Sequence, residues 1–156
     1  MAGEEAGNGA LILLVRRTIN AAAERLFDAW TSGDELRQWW GPPGAKCPQA
    51  EVDLRVGGRY RIANQFPDGR VIWIAGEFEA IQRPERLVYT WRIEDQPVAE
   101  RVTVQFRRLG QHRTEIVIRH ERIADEAAQE EHLLGWQGCL DGLSRYMTAE
   151  SLSQAP

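Results

Sequence analysis

Residues 125–149, DEAAQEEHLLGWQGCLDGLSRYMTA, decide how this chain folds. Leu133, Trp136, Leu140, Leu143 and Met147 recur at intervals of three and four. That spacing places one apolar stripe along a helix, with Asp125 ahead of it as a cap. Twenty-five helical residues reach nearly 40 Å, at ~1.5 Å per residue. A stripe of that length needs an apolar surface to cover. Gly135, Gly138 and Gly142 repeat on the same helix. Each costs ~1 kcal/mol relative to alanine, so either another element approaches closely or an exposed face tolerates them.

The surface to be covered lies upstream. From Cys47 to Glu121 the apolar period is two, and turn signals cut the run into six strands near 47–54, 58–66, 71–81, 86–93, 99–108 and 113–121. Gly57-Gly58, Asp68-Gly69, Arg83-Pro84-Glu85, Asp95-Gln96-Pro97 and Leu109-Gly110 supply the breaks. Short connections make this an antiparallel meander. Further upstream, Leu11–Ile19 reads as another strand. Asn20 then offers a cap for a short helix carrying Ala23, Leu26, Phe27 and Trp30. Ser32-Gly33-Asp34-Glu35 forms a capping box for a second helix carrying Leu36, Trp39 and Trp40, which Pro42 and Pro43 end. The expected architecture is α+β: strand, two short helices, six strands and a long helix gripped by a curved sheet. Residues 10–150 form the domain, with tails at 1–9 and 151–156.

Bulk properties exclude several functions. The 156 residues carry a net charge of −4, and nucleic acid requires a concentrated basic surface. No run approaches the ~20 apolar residues of a membrane helix. The only two cysteines, Cys47 and Cys139, are far apart. They form no disulfide framework, which makes the cytoplasm the expected compartment.

Order and spacing of several segments resemble the START-like (SRPBCC, birch-pollen-allergen-like) superfamily. Within it, they resemble the family named after the activator of heat shock protein 90 ATPase. These segments are Phe27-Asp28-Ala29-Trp30-Thr31, Leu36-Arg37-Gln38-Trp39-Trp40-Gly41-Pro42, Glu51 to Tyr60, Pro84 to Trp91, His120-Glu121, and Gly135-Trp136 with Leu140-Asp141 and Leu143. The resemblance implies a helix-grip fold, a cavity between sheet and helix, and often a homodimer. Such families include lipid carriers, polyketide cyclases and hormone receptors. The eukaryotic activator has a further N-terminal domain, for which 156 residues leave no room. That counts against a co-chaperone role.

Strand alternation identifies the side chains facing such a cavity: Val52 and Leu54, Tyr60, Ile62 and Phe66, Leu87, Tyr89, Trp91 and Ile93, Val102, Val104 and Phe106, and Ile116 and Ile118. Asn64 and His120 share these phases. His120 has three readings: a buried ring satisfied by backbone or by a neighbour such as Tyr89, a ligand contact, or an acid/base group. Asn64 is either satisfied internally or touches a ligand. The expected ligand-contact set is Trp39, Trp40, Tyr60, Asn64, Tyr89, Trp91, Phe106, Ile118, His120, Trp136 and Leu140. His120 is the only catalytic candidate.

Trp73 falls out of phase with Ile72, Ile74 and Phe78, so the outer face and a homodimer contact are expected for it. Glu51 and Asp53 also fall on the outward phase and suit salt bridges with arginines. Nucleophile-elbow, zincin, P-loop and dinucleotide motifs are absent. His112, His120 and His132 have no metal-ligand spacing with either cysteine, and no metal or cofactor is expected. The sequence supports, in order, a binder of a small hydrophobic or aromatic molecule, a cyclase-like enzyme, and a stress-response interaction module.

Overall fold

A computed structural model describes residues 11–153. Its elements are β1 (Leu11–Ile19), α1 (Ala23–Thr31), α2 (Gly33–Trp39), β2 (Ala50–Val52), β3 (Arg59–Gln65), β4 (Val71–Gln82), β5 (Arg86–Ile93), β6 (Glu100–Gly110), β7 (Arg113–Ile123) and α3 (Glu126–Ser153). The seven strands form one antiparallel sheet in the order β1-β7-β6-β5-β4-β3-β2. The meander expected from the turns is therefore present, and β1 adds to its far edge beside the last strand.

The inner face of the sheet carries Tyr60, Ile62, Leu87, Tyr89, Trp91, Val102, Val104, Phe106, Ile116 and Ile118, all buried. Trp136, Leu140, Leu143 and Met147 of α3 close over them. Asp125 caps α3 as expected, its carboxylate accepting the Ala128 N–H at 2.9 Å.

Several sequence expectations need correction. The strand expected over 47–54 contracts to Ala50–Val52. Lys46 makes only an isolated bridge with Gln65, Pro48 lacks an N–H, and a turn begins at Asp53. Leu54 is consequently exposed rather than inward. Asn20 does not cap α1, because the helix starts after Ala22 with no side-chain cap bond. The Ser32 hydroxyl accepts the Glu35 N–H at 3.3 Å, but the other half of the capping box is missing. The Glu35 carboxylate turns instead to Arg25 and to the Tyr146 hydroxyl, 2.8 Å away. Residues 151–153 continue α3 rather than forming a tail. The expected tail at 1–9 and residues 154–156 lie outside the described residues.

Arg25 joins three helices, donating to Glu35 of α2 and to Glu150 of α3 at 2.7 and 2.8 Å. Arg25→Ala should cost about 1–2 kcal/mol, since the network is part-exposed and leaves two carboxylates facing each other. Urea denaturation measures it; an unchanged midpoint would show that the network adds nothing to helix docking.

On the outer face, Glu51 pairs with Arg61 at 3.0 Å and Asp53 with Arg55 at 2.9 Å. Trp73 lies on this face, half-buried, with the Arg61 guanidinium 4.5 Å from its ring centroid.

Candidate functional site

Between α1, α2 and the sheet the interior is filled. The void among Trp30, Leu36, Tyr60, Phe78 and Tyr89 is only about 20 Å³. Space opens at one end, where a cleft of about 530 Å³ lies between the β3–β5 end of the sheet and the first half of α3. Trp40, Asn64, Ile74, Trp91, Trp136 and His132 contribute to its walls, with Pro42 and Pro43 at the rim. Of the expected contact residues, the structure thus gathers Trp40, Asn64, Trp91 and Trp136 around the cleft. Tyr60 and Tyr89 border the small interior void. Phe106, Ile118 and Leu140 are packed in the core. Trp39 donates its indole N–H to the Ala29 carbonyl at 3.0 Å.

His120 is fully buried and does not line the cleft. Its partner is not Tyr89, which accepts from Trp30 at 3.2 Å. The Trp136 indole N–H donates to His120 Nδ1 at 3.0 Å. An indole N–H can only donate, so Nδ1 holds a lone pair and the ring proton sits on Nε2. Nε2 then donates to Glu100 Oε1 at 2.6 Å. His120 is therefore neutral. Burial, opposed by the Glu100 bond, holds its pKa below the ordinary range.

Glu100 and His132 complete this cluster. His132 Nε2 lies 2.9 Å from Glu100 Oε1, and Gln96 donates to Oε2 at 2.9 Å. The two imidazoles stack with centroids 4.2 Å apart. Burial alone would push the Glu100 carboxyl up. Donors from His120, His132 and Gln96 outweigh it and pull the group down to about 2. Sequence reasoning missed Glu100, although it precedes Val102, Val104 and Phe106 at spacing two. It also missed His132, four residues before Trp136 on the apolar stripe.

The ligating atoms of Glu100, His120 and His132 lie within 4.8 Å of one another. The set does not suit a metal in this arrangement. A neutral imidazole ligating through Nε2 carries its proton on Nδ1, and that proton would face the Trp136 N–H. Cys47 and Cys139 are buried, and burial pushes their thiols up to about 11 and about 12, so neither is poised as a thiolate.

Five tryptophans are buried, and four of their indole N–H groups have protein acceptors. One of these bonds runs from Trp40 to Asn64 Oδ1 at 2.9 Å. The fifth is different: Trp91 Nε1 is the one buried side-chain polar atom without a partner among the described residues.

The family model described as Activator of Hsp90 ATPase homolog 1-like protein matches residues 20–148. The chain belongs to this family. Solved relatives of the Hsp90-ATPase-activator homologue family share its START-like helix-grip fold. A protein from Silicibacter pomeroyi is 26% identical, with a TM-score of 0.78 over 90% of this chain and 99% of its own. A protein from Chromobacterium violaceum is 28% identical, with a TM-score of 0.76 over 86% and 95%. A Plasmodium falciparum protein described as an HSP90 activator is 23% identical, with a TM-score of 0.70 over 89% and 97%. No curated protein matches the sequence. No helix among the described residues of this family member is long and apolar enough to cross a membrane.

Proposed function

We propose that this chain holds a small aromatic or otherwise apolar molecule in the cleft between sheet and α3. The observation that carries this reading is the cleft itself. Its volume of about 530 Å³ lies in the ~300–1,000 Å³ span of small-ligand sites. Its walls are mostly apolar and include three tryptophans and three isoleucines, while the void beneath α1 and α2 is only about 20 Å³.

Ile72 stands half-buried on the cleft wall. Ile72→Trp should fill the cleft from an exposed rim and reduce binding of an aromatic probe by more than about tenfold, with the melting temperature little changed. Equilibrium dialysis and thermal melts measure the two quantities. Unaltered binding would place the ligand elsewhere.

The family description and the Plasmodium relative support a second reading, stimulation of a chaperone ATPase. Adding the chain to purified chaperone and following ATP hydrolysis distinguishes it from the first. A cyclase-like acid/base role has less support, because both ring nitrogens of His120 are already engaged.

A further inference from the structure

We propose that the cleft selects a neutral, flat molecule carrying a hydrogen-bond acceptor, such as a ketone or quinone oxygen, and discriminates against carboxylates; this rests on reading the cleft as a ligand site. Trp91 and Asn64 carry the first half. The chain provides an acceptor for every buried indole except Trp91, a residue of the cleft lining whose N–H goes unpaired. It is about 95% buried, and a buried donor without an acceptor is costly.

Asn64 adds a second donor. Its Oδ1 takes the Trp40 N–H, which fixes the orientation of the amide because indole cannot accept. The amide NH₂ is left without an acceptor among the described residues, and Asn64 also lines the cleft. A ligand oxygen between these groups would satisfy what the fold leaves open.

Charge carries the second half. The cleft lining includes Glu131 and contains neither lysine nor arginine. Behind His132 stands the ionised carboxylate of Glu100. A fatty acid or aromatic acid would bring its charge toward two carboxylates with no lysine or arginine in the wall to offset it. A neutral acceptor takes the same hydrogen bonds without that repulsion.

Naphthalene, 2-acetylnaphthalene and 2-naphthoate present one ring with no acceptor, a neutral acceptor and an anionic acceptor. Equilibrium dialysis of the full chain against each at neutral pH should show the ketone binding about tenfold tighter than naphthalene. The naphthoate should bind at least tenfold more weakly than the ketone. Trp91→Phe removes the N–H together with part of the ring, so affinity for the ketone should fall more than affinity for naphthalene and the ketone's advantage should shrink. The comparison on the native chain stands whether or not that variant folds. Equal affinity for naphthalene and ketone would overturn the acceptor inference and leave the ligand site standing. Naphthoate binding as tightly as the ketone would overturn the charge inference. Binding of none of the three would remove the ligand site as well.

Discussion

Glu100→Ala is expected to cost about 3–5 kcal/mol of folding stability, read from urea denaturation. The carboxylate accepts from His120, His132 and Gln96 at 2.6–2.9 Å in a nearly solvent-free position. Removing it strands three donors at once, and losing one partner of a buried charged network costs this much. Glu100→Gln retains one acceptor oxygen and should cost less. An alanine variant within 1 kcal/mol of the native chain would show that water replaces the carboxylate easily.

The same group sets part of the acid sensitivity. Its folded pKa, about 2, lies below the ordinary ~4.3. The folded state therefore binds the proton less readily than the unfolded state. This contribution is fully present above about pH 4.3 and disappears as pH falls toward 2, a loss of about 3 kcal/mol. His120 acts with the same sign at higher pH. Burial depresses its pKa, so its contribution begins to be lost below its ordinary value near 6.5. In Glu100→Gln the loss between pH 4.3 and 2 should be shallower than in the native chain. An equally steep loss would assign it to other carboxylates.

Gly142→Ala is expected to destabilise the fold by about 1–3 kcal/mol, against the trend of helix propensity. Alanine in a helix normally gains ~1 kcal/mol over glycine. At Gly142, however, an added Cβ would lie 2.3 Å from the Trp39 carbonyl oxygen, at the end of α2. Gly138→Ala meets the Pro43 ring at 2.5 Å and should also lose stability. Gly135 is the control, because its added Cβ would make an ordinary 3.8 Å contact with Pro42. Gly135→Ala should therefore be neutral or stabilising by up to ~1 kcal/mol. Melting temperatures of the three variants order them; stabilisation at all three positions would mean that the end of α2 and the α2–β2 loop simply move aside.

These glycines also show how far the sequence could be read. Their spacing leaves open a close approach or a tolerant exposed face; choosing the first, and naming Trp39, Pro42 and Pro43 as the approaching groups, requires three-dimensional packing. Strand number and the covering helix were legible because turn residues and apolar periods are local properties. The failed edges at Asn20, Leu54 and Ser151 are places where local preference yields to neighbours. The site was half legible. Asn64 and His120 stood out as polar residues on apolar phases. Glu100 obeyed the same rule, but it sits at the mouth of a turn, where a carboxylate reads as solvent-facing. That two histidines and a carboxylate meet depends on registers between β6, β7 and α3, and no single segment contains that information.

One consequence follows from the position of β1. Leu11–Ile19 pairs with Thr114–Ile123, about a hundred residues later, while the meander strands pair with immediate neighbours. During synthesis the first strand must therefore wait, with Leu13, Val15 and Ile19 uncovered, until Thr114–Ile123 has left the ribosome. Closure of the sheet and docking of α3, which follows β7 directly, then fall together as the last steps of this domain's folding.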